Sequence, residues 1–70
     1  MNNVTAHVGG IFRHKKTGGE YVVMMFATIE ATMTQAVVYK STATDQAWVR
    51  PVSEFEDGRF ELVRQQGAAA

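Results

Sequence analysis

Residues 13–16 read Arg13-His14-Lys15-Lys16. They set three fixed positive charges and one ring that titrates near neutral pH in consecutive positions, leading into Thr17-Gly18-Gly19. Lys and Arg side chains contact phosphate, and the free N–H groups of a glycine turn add to them. The same composition also serves solubility, since lysines at strand ends guard an open edge. A second group lies downstream, where Tyr39 is followed by Trp48 and Arg50. Side chains two apart on a strand share a face, which sets Trp48 beside Arg50. An aromatic ring beside a guanidinium stacks on a base or another flat ligand, and it is equally the make-up of a protein–protein hot spot. The competing structural role makes Trp48 a plug at one end of the core, with Arg50 paired to Glu54 or Asp45. The ligand-binding candidates are therefore Arg13, His14, Lys15, Lys16, Tyr39, Trp48 and Arg50.

Other chemistry finds less support. Nucleophilic catalysis needs a hydroxyl or thiol within reach of a base and an orienting group. Ser41, Ser53, His7 and His14 form no recognisable elbow. Glu54, Glu56 and Asp57 are close in sequence but read as a solvated run beside a turn. No catalytic residue is assigned, and an enzyme would require a deep pocket gathering His14, Arg50 and a carboxylate. His7 and His14 with Glu20 or Asp45 match no metal-ligand spacing, so neither metal nor cofactor is expected.

The whole chain sets the bounds. Its 70 residues make one small domain, and 46% apolar content is ordinary for a folded one. Seven basic residues balance seven acidic ones. That argues against bulk electrostatic capture of nucleic acid while leaving room for a local basic patch. There is no cysteine, which excludes disulfides and thiolate metal sites and points to a reducing cytoplasm. No apolar run approaches the roughly 18 residues of a membrane span, and the first residues lack the features of a signal peptide.

The elements that must position the candidates are short strands. Residues 1–8 read as a flexible lead-in, punctuated by Gly9-Gly10. Ile11 to His14 is a strand, followed by a turn in which Gly18 and Gly19 can take positive φ. Glu20 to Ile29 carries the strongest strand signal, rich in β-branched and aromatic residues. A helix is the rival reading there. Simple alternation puts Tyr21, Val23, Met25, Ala27 and Ile29 on one face and Val22, Met24 and Phe26 on the other. If exposed, Met24 and Phe26 would mark a partner or dimer face.

Gln35 to Lys40 is a third strand, with Tyr39 and Val37 opposing Val38. Gln46 to Arg50 is a fourth, stopped by Pro51, with small Ala47 and Val49 suited to a tight interior and Trp48 outward or at a rim. Ser53 is placed to cap a single helical turn through Glu56. Asp57-Gly58 is a turn, Arg59 to Val63 a fifth strand, and 64–70 a tail.

Across this span the chain resembles a known family. Gly10-Ile11-Phe12-Arg13-His14-Lys15, Gly19-Glu20-Tyr21-Val22-Val23, Val37-Val38-Tyr39, Trp48-Val49-Arg50-Pro51 with Phe55, and Arg59-Phe60 look like short bacterial and phage proteins. Those are catalogued as a domain of unknown function with an SH3-like barrel. The resemblance covers about Gly9 to Val63 and implies the fold without implying an activity. Where that family's long strand ends in His-Ser-Glu-Thr, this chain reads Ile29-Glu30-Ala31-Thr32, so a site built on those polar residues would be partly lost here.

The expected architecture is all-β: a small five-stranded antiparallel SH3-like barrel over 9–63 with one short helical turn before the last strand. The expected function is a non-catalytic binding module. One class of partner is nucleic acid or a nucleotide-like ligand. The other is a protein, in an adaptor or a self-associating homo-oligomer of phage or mobile-element origin. A membrane is not among the expected partners.

Overall fold

The computed structural model describes residues 4–65. The elements run β1 (Gly10–His14), β2 (Glu20–Ile29), β3 (Thr34–Ser41), β4 (Ala47–Pro51), α1 (Val52–Phe55) and β5 (Phe60–Gln65). All five strands lie in one antiparallel sheet in the order β4-β3-β2-β1-β5. The β-branched and aromatic content of β2 suits the central strand it forms. Pro51, which has no N–H to donate, ends the edge strand β4. The sheet curls far enough for the Arg50 guanidinium of β4 to stand 6.0 Å from the Phe60 ring centroid of β5. No ladder joins β4 to β5, so the sheet is open at those edges and the expected closed barrel is not formed.

Aromatic rings fill the space inside the curl. Phe12, Phe55 and Phe60 are fully buried with Val23 and Val37. Phe55 stacks on Phe60 with centroids 4.2 Å apart and ring planes 11° apart. Phe12 and Tyr39 meet Phe55 edge-on, each at 5.2 Å. Such edge-to-face pairs set the positive ring edge against the negative face. The single-turn helix α1 exists to deliver Phe55. Pro51 occupies its N-cap position and makes no side-chain cap, while Ser53 sits inside the turn instead of capping it.

Two expectations about side-chain direction are corrected. In the β2–β3 ladder Val23 opposes Tyr39, but Met25 opposes Val38, so Met24 is the extra residue of a β-bulge. Directly opposed residues share a face. Phe26 therefore joins Val23 on the core side, and Met25 and Ala27 move to the side of Val22. In β4, Trp48 opposes buried Tyr39 and Arg50 opposes buried Val37. Trp48 and Arg50 thus face the core, and Val49 points outward, 63% exposed. Ala47 and Val49 do not line an interior. On an edge strand the core-facing side is also the rim, which is why large amphipathic side chains stand there.

Part of the lead-in packs on the core. Ala6 is buried in the core cluster, Val4 packs against it, and the Ala6 N–H donates to Glu56 Oε2 at 2.7 Å. At the other end β5 continues through Arg64 and Gln65. The remaining parts of the expected lead-in and tail, residues 1–3 and 66–70, lie outside the described residues.

Phe55→Ala removes the ring that Phe12, Tyr39 and Phe60 all pack against and is expected to destabilise the domain by about 3–5 kcal/mol. Val49→Thr, on the outer face, is expected to stay within about 0.5 kcal/mol of the parent. Urea unfolding followed by Trp48 fluorescence checks both.

Candidate functional site

The open side of the curl holds a cavity of about 190 Å³ lined by His14, Thr17, Tyr21, Tyr39, Trp48, Arg50 and Phe60. All five strands and one turn contribute to it. Curling brings the end of β1, carrying His14, up to the rim strand β4, carrying Trp48 and Arg50. Trp48 is 47% exposed, so one side of the indole is open to a ligand. Tyr39 is only 4% exposed and meets Tyr21, Phe55 and Phe60 edge-on. It is a wall of the cavity and cannot serve as a second stacking platform.

Arg50 is held in place from two sides. Its Nε donates to the Tyr39 hydroxyl oxygen at 3.3 Å, and its Nη1 lies 3.4 Å from Glu54 Oε1. The pairing with Glu54 anticipated from the sequence is present, and Trp48 beside it is half-exposed. The cavity gathers His14 and Arg50, but no carboxylate is among its lining residues.

A second, shallower cleft of about 550 Å³ adjoins it, lined by His14, Lys15, Lys16, Asp57, Gly58 and Arg59. The β1–β2 turn is closed by His14 N–H to Gly19 O at 2.9 Å and Gly18 N–H to His14 O at 2.7 Å. Gly18 takes φ +81°, a left-handed conformation that a side chain would resist; Gly19 does not. The Lys15 N–H donates to Arg59 O at 3.0 Å, which ties this basic turn to the approach to β5. Arg59 grips Asp57 as a fork, with Nε to Oδ1 at 3.0 Å and Nη2 to Oδ2 at 2.7 Å. The hydrogen bonds from Arg59 hold the Asp57 carboxyl below its ordinary range.

His14 belongs to both cavities. Its ring meets Phe60 edge-on at 5.0 Å, and its buried Nδ1 has no hydrogen-bond partner. Burial, and then the positive charges of Arg50, Arg59 and Lys16, push its pKa below the ordinary 6.5.

Not every candidate converges here. Arg13 points to the opposite face of the sheet, opposing Glu20 and Glu61, and pairs with Glu61 through Nε at 2.8 Å and Nη2 at 2.7 Å. Strand alternation separates it from its neighbour His14. Met24 and Phe26 are exposed, at 46% and 38%, but line neither cavity. Conversely, Thr17, Tyr21, Asp57, Arg59 and Phe60 belong to the site without having been singled out. Asp57-Gly58-Arg59 signals a turn in sequence, and only the fold brings that turn against Lys15. Among the described residues no group of three or more His, Asp or Glu could hold a metal ion. Among the described residues no helix is long and apolar enough to cross a membrane.

The lowered His14 pKa has a consequence for stability. Between the folded-state value and 6.5 the unfolded chain binds more protons than the folded one, so stability rises with pH. The full stability is present above pH 6.5 and falls as pH drops through the folded-state value. Urea midpoints measured from about pH 5 to pH 8 are expected to show this slope, and His14→Gln to flatten it.

No curated protein and no solved structure matches the chain. A family model does match, over residues 10–67, a span that contains both the Phe12-Arg13-His14-Lys15 and the Trp48-Val49-Arg50-Pro51 segments. By that match the chain belongs to the family described as Protein of unknown function (DUF1653).

Proposed function

We propose that this chain is a non-catalytic binding module that takes a nucleobase-bearing anion, from nucleic acid or a nucleotide-like ligand, against Trp48 and Arg50. The single observation that carries this reading is the half-exposed Trp48 at the mouth of an aromatic cavity edged by His14 and Arg50. Size supports it: a cavity of roughly 150 Å³ admits a benzene-sized guest, whereas drug-sized ligands occupy roughly 300–1,000 Å³. At about 190 Å³ the cavity suits one flat ring system. Charge supports it too. Lys15, Lys16, Arg50 and Arg59 surround the two cavities, against the carboxylates of Glu54 and Asp57, each already bound to an arginine. A cationic guest, the usual occupant of an aromatic cage, is disfavoured by that balance.

In this reading the curled sheet is an SH3-like barrel left open between β4 and β5, and the opening is the way into the cavity. The absence of a carboxylate from the cavity wall favours binding over acid–base catalysis. A cysteine-free chain suits a reducing cytoplasm.

A second reading, a protein-interaction adaptor or self-associating subunit, is favoured by a different observation. Met25 and Val49 are 54% and 63% exposed on the outer face around Val38, and Met24 and Phe26 are exposed on β2. Strands β4 and β5 also present edges to which another strand can add.

Titration with a nucleoside 5′-monophosphate is expected to give a saturable change in Trp48 fluorescence that weakens as salt rises. Calorimetry on Trp48→Ala should show a loss of about 1–3 kcal/mol of binding free energy. Unchanged fluorescence, with mass in solution rising with protein concentration, would instead select the self-associating subunit.

A further inference from the structure

The aromatic cavity and the basic cleft share a wall. His14 lines both, and its unpartnered Nδ1 is surrounded by positive charge from Arg50, Arg59 and Lys16. The two hollows differ in kind. One is small and ringed by aromatic side chains; the other is open and lined by basic ones. We propose that they are two subsites of a single binding surface for single-stranded nucleic acid. The cavity takes one unpaired base against Trp48, and the cleft takes the adjoining backbone phosphate against Lys16 and Arg59. This rests on the base-binding reading above and commits it to a ligand class.

Three considerations favour a single strand. A base must enter the cavity past the edge of Trp48, and a base within a duplex reaches such a place only by flipping out of its stack. Ring stacking combined with a basic track along the backbone is how single strands are held without a duplex groove. The cleft also keeps cations free for a phosphate. Arg59 is engaged by Asp57, but among the described residues Lys15 and Lys16 make no ion pair. The Asp57 carboxylate faces the same cleft, and its charge is answered by the Arg59 fork. Tyr21 and Tyr39 line the cavity with His14 from β2 and β3.

The test compares three probes by Trp48 fluorescence on the intact chain: thymidine, which has a base and no phosphate, a single-stranded oligothymidylate of about eight nucleotides, and a duplex of similar length. The oligothymidylate is expected to bind at least about tenfold more tightly than thymidine, the gain from one charge-assisted contact, and more tightly than the duplex. Lys16→Gln, an exposed change that leaves the fold intact, should remove most of that gain and lower the salt slope by about 1. Equal affinity for thymidine and oligothymidylate, or duplex binding as tight as single-strand binding, would overturn the two-subsite proposal while leaving base binding standing. No response to any probe would overturn both.

Discussion

The stack of Phe55 on Phe60, 4.2 Å between centroids, is the contact on which the rest of this domain depends. One ring comes from the single helical turn after β4 and the other from the first residue of β5, so the stack joins the two edges of a sheet that no backbone ladder closes. Phe12 and Tyr39 pack edge-on against it, and Arg50 lies over the Phe60 ring. In a 70-residue chain, which buries a smaller share of its surface than a larger domain, a cluster of rings supplies much of the available apolar contact.

The same constraint makes the site. Curling the sheet around the rings brings His14, at the end of β1, opposite Trp48 and Arg50 on the rim. The cavity on the open side of the curl is walled by Tyr21, Tyr39 and Phe60, the last two of them buried. Site and core are therefore one structure: Tyr39 is buried packing on one side and holds Arg50 through its hydroxyl on the other. His14 is constrained likewise, with its ring edge on Phe60 and its Nδ1 buried beside three cations. Of those cations Arg50 and Arg59 are each paired with a carboxylate, while Lys16 makes no ion pair among the described residues.

Much of this was legible in the residues. The β-branched and aromatic runs mark every strand, Gly18 and Gly58 mark turns that take positive φ, and the Phe12–Lys15 and Trp48–Pro51 segments mark the family. What could not be read is direction. Met24 and Met25 are consecutive and chemically alike, so nothing in their pattern says that one of them is an extra residue, and the bulge reverses every face beyond it. Small Ala47 and Val49 leave Trp48 either outward or at a rim, and the structure takes the rim: on this edge strand the core-facing side is the rim, so Ala47 and Val49 are the residues that point away. Arg59 was passed over because its place in the site depends on one long-range bond, Lys15 N–H to Arg59 O. Arg13 was included because it is basic and adjacent to His14, though alternation along β1 sends it to Glu61.

The central claim is that ligand enters through the opening between β4 and β5 and touches both hollows. Amide and indole chemical-shift mapping during titration with a short single-stranded oligonucleotide tests it most directly. The account predicts shifts centred on His14, Lys16, Gly58, Arg59 and the Trp48 indole N–H, with Arg13, Met25 and Val49 on the outer face unmoved. Shifts centred on Met25 and Val49, with the Trp48 indole unchanged, would contradict it and place the functional surface on the other side of the sheet.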